Sequence, residues 1–230
     1  LGDGGGDLCS TAAVSHYEYG EMFARYANEY DAVVQITIGA NFSCCYQNAC
    51  AAAQEYENVF VVDSENLSTG QGLLVVAAAK LAEQGLSGAE SAERVRARAP
   101  KVEASFLIEC LDYMRKGGRC SAVAALGANL LHLKPCIEVR NGKMAVCKKY
   151  RGSFEKCVRQ YVKERLDGRE DIAPELAFIT HAAADANVVA AAKEEAAQYG
   201  SFETVEETQA GCTVSCHCGP NTLGILFVRK

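Results

Sequence analysis

Near the C-terminus the chain reads TVSCHCGPNTLGILF, with Cys216, His217 and Cys218 consecutive shortly after Cys212. Thiolates and imidazoles are preferred zinc ligands, so a metal site is the first chemistry this stretch suggests. The spacing argues against it. A tetrahedral site usually draws on C-x2-4-C pairs that wrap the ion, and in an extended segment Cys216 and Cys218 would face one way and His217 the other. A second thiol group, Cys44-Cys45, stands at the start of a predicted helix, where the dipole can lower a thiol pKa and produce a nucleophile. A thiol- or zinc-dependent enzyme using Cys44, Cys45, Cys212, Cys216, His217 and Cys218 is therefore one functional reading. No Cys-His-Asn or G-x-S-x-G signature accompanies it.

Ser43 precedes the same helix, where unpaired N–H groups and the dipole favour an anion. It would equally serve as an ordinary N-cap. Anion binding therefore stands beside thiol chemistry as a reading of this segment.

These residues need elements to hold them. Apolar runs of strand length alternate with segments of helical period, the pattern of an α/β protein with parallel strands. Ser15 and Glu18 form a capping-box pair opening a helix through about residue 30, and AVVQITI then reads as a buried strand. A helix over residues 43–56 follows, then the strand NVFVVDS and the apolar helix TGQGLLVVAAAKLAEQG. Ser87 and Glu90 open another helix, which stops before Pro100. Beyond Pro100, CIEVRNGKMAVCKKYRG carries Asn141-Gly142 between strand-like flanks, a strong hairpin signal. Helices are predicted near residues 153–167 and 184–199 with the strand AFITH between them, and LGILFVRK closes the chain.

The expected fold class is thus α/β and two-lobed. A parallel-sheet N-terminal lobe (residues 1–102) precedes a mixed α/β C-terminal lobe (residues 103–230) containing a β-hairpin, with a ligand cleft between them.

At 230 residues and 49% hydrophobic content the chain can bury a substantial core. Its net charge of −6 argues against a nucleic-acid partner, which would require clustered Lys and Arg. No apolar run reaches the roughly 18 residues of a membrane span. LGDGGGDLCS has neither the charged nor the apolar region of a signal peptide. The 12 cysteines fall below the density of a disulfide scaffold, and many lie in apolar or helical runs, so a cytoplasmic location with reduced thiols is expected, with one or more disulfides or a metal as the alternative.

Three separated stretches together resemble the DegV family of bacterial fatty-acid-binding proteins. ITIGANFSCCYQNACAAA is similar to the family's strand, serine-rich turn and helix. LIECLDYMRKGGRCSAVAALGANLLHLKPCIEVRNGKMAVCKKYRG is similar to its K-K-G-G-R-I-S segment, following helix, I-K-P strand, D-G-K turn and K-x-R-G end. The opening stretch resembles G-A-H-T-G-P-G-A-L-G-V-A-F. The minor matches VVDS and ITHAAAD fall in the same order, so the resemblance covers nearly all of residues 11–229.

The resemblance implies a non-catalytic carrier that buries the tail of one long-chain fatty acid and holds its carboxylate between the lobes. It also implies that the carrier presents this carboxylate to a fatty-acid kinase. The ligand is the fatty acid, with no cofactor and no metal, and neither nucleic acid nor stable membrane insertion is implied. Carried over by motif, the head-group residues are Thr11, Ser43, Cys44, Arg119 and His217. Four of them have a plainer reading: a loop hydroxyl for Thr11, a helix cap for Ser43, a surface charge for Arg119 and a core histidine for His217. His16, His132 and His181 have weaker claims.

SAVAALGANLL and TGQGLLVVAAA supply the small and branched side chains an acyl tunnel needs, or are core helices. Burying about 14 methylenes at roughly 0.8 kcal/mol each gives an upper limit near 11 kcal/mol, so the tail would supply affinity and the head orientation. Departures from the family pattern fall at the head: Gly39-Ala40 replace its serine pair and Cys44-Cys45 its Gly-Thr. The strand with D-S-x-x-D-L-P that usually opens the family has no counterpart here.

Overall fold

The computed structural model describes residues 10–117 and 133–230. The chain divides into two compact units, one holding Ala12–Val102 with the turn Asn141–Lys143, the other holding the segment up to Thr11, Glu103–Arg140 and Met144–Lys230.

The first unit opens with α1 (His16–Glu29). Ser15 Oγ accepts from Glu18 N while the Glu18 carboxylate accepts from Ser15 N, so two otherwise unpaired donors of the first turn are satisfied. Tyr19 and Phe23, one helical turn apart, face the interior and stack with ring centroids 5.8 Å apart. Next come β1 (Val33–Thr37), α2 (Cys45–Ala53), β2 (Val59–Asp63), α3 (Ser68–Glu83) and α4 (Gly88–Arg98). β1 and β2 pair in parallel from Val33↔Val59 to Thr37↔Asp63, as a strand–helix–strand crossover requires. α1 and α2 cover this sheet through Tyr19, Phe23, Ala49, Ala52, Val59 and Val61. α4 begins with a second complete capping box at Ser87 and Glu90. Its Arg96 Nη2 donates to Val61 O at 3.0 Å, tying the helix to β2.

Apart from the end residues Val102 and Lys143, which fall in the first unit, the second unit contains β3 (Val102–Leu107), α5 (Asp112–Lys116), β4 (Leu133–Arg140), β5 (Lys143–Arg151), α6 (Phe154–Leu166), β6 (Ala177–Ala182), α7 (Ala186–Tyr199), β7 (Val205–Gln209), α8 (Cys212–Cys218) and β8 (Thr222–Val228). Its strands form a six-stranded sheet in the order β5-β4-β3-β8-β6-β7. The sheet is mixed: β3 with β4 and β6 with β8 are antiparallel, whereas β6 with β7 is parallel. All of β8 is buried, consistent with a central strand covered on both faces.

Strand periodicity sorts the core into two layers. Leu107, Leu223, Ile225 and Phe227 point to the side carrying α6 and α7, and Phe106 and Ile137 to the side carrying α5 and Cys218 of α8. Asn141 and Gly142 take φ values of 52° and 69°, the left-handed pair that a two-residue hairpin turn needs, and they join β4 to β5 as the sequence implies. Pro100 lies in a short 3-10 turn, Ala99–Lys101, leading into β3.

Residues 212–218 depart from expectation: they form α8 rather than an extended run. Gly211 is its N-cap, Ser215 N donates to Gly211 O at 3.0 Å, and Gly219 ends it at φ 77°. No side chain can replace Gly219 easily, because a Cβ there would overlap the Tyr113 ring. Within a helix Cys216, His217 and Cys218 fan out at about 100° per residue, so the argument from strand alternation gives way to one from helical geometry. Among the described residues no group of three or more His, Cys, Asp or Glu side chains is placed to hold a metal ion. No helix among them is long and apolar enough to cross a membrane.

Candidate functional site

Two of the expected head-group residues, 206 positions apart in sequence, meet in the second unit: Thr11 Oγ1 lies 2.8 Å from His217 Nε2. Both side chains are partly buried. Either can donate, depending on which ring nitrogen carries the proton. His217 occupies the last turn of α8, and packing of α8 against α5 aims its ring.

Glycine makes this close approach possible. Gly117 ends α5 with its N–H donated to Tyr113 O at 2.8 Å, and a Cβ on it would overlap His217 Nδ1. The imidazole is therefore bracketed by the Thr11 hydroxyl on one side and bare backbone on the other. Gly117 thus terminates a helix and also clears space for the histidine.

The turn after α8 is fixed by polar contacts. Thr222 Oγ1 donates to Cys218 O at 2.9 Å. Asn221, at φ 54°, donates through Nδ2 to Glu109 at 2.7 Å and accepts from Asp185 N at 3.2 Å. Glu109 also pairs with Lys134 at 3.1 Å. These contacts link the ends of β3, β4 and α7 to the start of β8. Asn221 follows a Gly-Pro stop in the sequence, which signals a turn but does not reveal this distant partner.

Ser43 and Cys44 belong to the first unit. Cys44, not Ser43, is the N-cap of α2, and no side chain caps it. Ser43 Oγ instead accepts from Cys45 N at 3.3 Å and lies 3.1 Å from Cys45 Sγ, so this hydroxyl is turned to the first residue of the helix. Cys44 is exposed, whereas Cys45 is buried in the core with Tyr19 and Phe23. Arg119, Gly118, His132 and the SAVAALGANLL stretch lie outside the described residues.

His16 is exposed on α1. His181 is 5% exposed and held by Ala184 N on Nδ1 and Glu207 on Nε2, a structural arrangement. α3 buries Gly70, Leu73 and Leu74 and leaves Val75 47% exposed, so this apolar helix keeps one open face.

A family model describing uncharacterised proteins of the DegV family matches residues 4–230. The chain belongs to the DegV family. This DegV chain is 31% identical over 225 residues to a DegV domain-containing protein of Clostridium acetobutylicum, covering 96% of the chain and 78% of the relative. A fatty-acid-binding DegV family protein from Thermus thermophilus shares 27% identity and superposes with TM-score 0.82, over 96% of this chain and 79% of that one. A Thermotoga maritima protein whose structure reveals a fatty-acid-binding function shares 26% identity at TM-score 0.80, over 97% and 79%. The DegV fold thus extends over nearly the whole chain.

Proposed function

We propose that this DegV protein binds one long-chain fatty acid as a carrier and that Thr11 and His217 hold its carboxylate. The 2.8 Å Thr11–His217 contact carries the reading. One proton of this pair is spent on the mutual bond and the other can be donated to a carboxylate oxygen, a charge-assisted bond that contributes roughly 1.5–3 kcal/mol. The fatty-acid-binding relatives at 26–27% identity supply the ligand class.

Ser43, Cys44 and Arg119 are proposed as further head-group contacts by the family motifs they occupy, with presentation of the carboxylate to a fatty-acid kinase as the carrier's purpose. A cytoplasmic location accords with both. The apolar tail would supply most of the affinity, at about 0.8 kcal/mol per buried methylene.

Native mass spectrometry of gently purified protein, followed by lipid extraction, tests the carrier reading. A single co-purifying fatty acid is the expected result, and added fatty acid should raise the melting temperature of delipidated protein by mass action. Absence of lipid together with no thermal shift would defeat the proposal.

The same Thr–His contact is also one that a nucleophile–base pair makes. Ester hydrolysis by the wild type that disappears in Thr11→Ala would replace the carrier by an acyl-transfer enzyme.

A further inference from the structure

Among the described residues, a second cluster of reactive and charged groups, apart from the proposed fatty-acid site, lies on the β4–β5 hairpin and α6. Counting outward from the two-residue turn makes Cys136 and Cys147 facing residues on neighbouring strands, and Cys147 Sγ lies 3.5 Å from Cys136 O. Both sulfurs approach one guanidinium: Arg165 Nη2 on α6 is 3.1 Å from Cys147 Sγ and 3.9 Å from Cys136 Sγ. Cys147 is exposed and Cys136 buried.

The remaining charges around this pair are accounted for. Glu138 on β4 binds Arg165 at 3.2 Å and Arg140 at 3.2 Å. Lys148, beside Cys147, is paired with Glu164 of α6 at 2.8 Å, and Tyr150 donates to the same carboxylate. Among the described residues, Arg165 is thus the cation in contact with both sulfurs.

We propose that Cys147 is a hydroperoxide-reactive thiol with Cys136 as its resolving partner, a modification site independent of fatty-acid binding. The Cys147 thiolate attacks the terminal peroxide oxygen. The O–O bond breaks, the alcohol or water leaves with a proton, and Cys147 becomes a sulfenic acid. The Cys136 thiol then attacks that sulfur and expels water. In total, two thiols and one hydroperoxide give one disulfide, one alcohol or water molecule, and one water.

Geometry and electrostatics both support this assignment. The guanidinium stabilises the attacking thiolate and can donate to the departing oxygen. The hydrogen bond from Cys136 brings the Cys147 thiol down to about 7, assisted by the charge of Arg165 and opposed by burial and Glu138. The Cys136 thiol is pushed up by its bond to Cys147 and by burial, so it stays protonated until called on. Facing residues of antiparallel strands have Cα atoms about 4.5–5.5 Å apart, within the span a disulfide accepts.

Peptide-resolved mass spectrometry of the full chain decides the matter. At pH 7 iodoacetamide should label Cys147 about tenfold faster than the exposed Cys44 and Cys212, with a midpoint near pH 7. Arg165→Lys, which keeps the charge, should retain part of this advantage, and Arg165→Met should move the midpoint upward. Dilute hydrogen peroxide should produce a reducible Cys136–Cys147 crosslink, and in Cys136→Ser a dimedone adduct on Cys147 instead. Labelling of Cys147 no faster than Cys44, or peroxide linking no cysteine pair or a different one, overturns the proposal. Undiminished fatty-acid binding by Cys136→Ser and Cys147→Ser checks that both variants are folded.

Discussion

At the residue scale, the Thr11–His217 contact makes the sharpest statement about ligand binding. Removing the imidazole in His217→Ala should weaken fatty-acid binding by about 10- to 100-fold, the cost of one charge-assisted hydrogen bond. Displacement of a fluorescent fatty acid measures it, and an unchanged affinity would place the head group elsewhere. Gly117→Ala tests the same point without altering a polar group. Its added Cβ would overlap His217 Nδ1, so the ring must turn away from Thr11 and affinity should fall about tenfold in the same assay.

Cys147 carries a pH dependence of defined sign. Its folded pKa, about 7, lies below that of a free thiol at about 8.5. The stabilisation from ionised Cys147 is therefore complete above the free-thiol value and disappears as pH falls through 7. Denaturation of wild type and Cys147→Ser across pH 6–9 should show their stability difference shifting toward wild type as pH rises, and a flat difference would refute the shift.

At the element scale, turn and cap chemistry was directly legible. Ser15 with Glu18 and Ser87 with Glu90 announce helix starts, and both capping boxes are complete. These depend only on residues three apart, so the sequence contains everything needed to form them. Asn141-Gly142 is legible for the same reason. Gly142→Val forces a branched side chain to φ 69° and should cost about 1–2 kcal/mol, a melting-point drop of roughly 2–4 °C per kcal/mol. A scan showing no drop would mean the hairpin can use another turn.

α8 and β7 were harder to read. α8 has seven residues, too few to show a period, although Gly219-Pro220 behind it is a helix-stop signature that could have marked it. β7 reads VEETQ, with no apolar run. Parallel pairing with β6 makes it a strand, and that pairing is a property of the sheet.

At the scale of the whole molecule, Tyr161 shows how the second unit is joined. Its fully buried hydroxyl donates to Ser105 O at 2.6 Å and accepts from Ile225 N at 3.0 Å, bridging β3 and β8 from α6. Tyr161→Phe keeps the ring and leaves a buried N–H without this partner. It should cost about 1–3 kcal/mol, seen as a lower urea midpoint at unchanged slope. A midpoint equal to wild type would show that water or a backbone shift replaces the hydroxyl.

The sequence by itself determined the α/β class, the starts of α1 and α4, the hairpin and the family, because each rests on local chemistry or on ordered motifs along the chain. Tertiary structure decided that His217 sits on a helix and that Thr11 reaches it across 206 positions. It also decided that one guanidinium touches the thiols of Cys136 and Cys147. Such contacts arise when packing brings distant segments together, and neither composition nor periodicity encodes the distance between two side chains. The stretch SCHCGP suggested metal chemistry through its residue types, whereas helical geometry directs its three side chains apart and gives the histidine a hydroxyl for a partner.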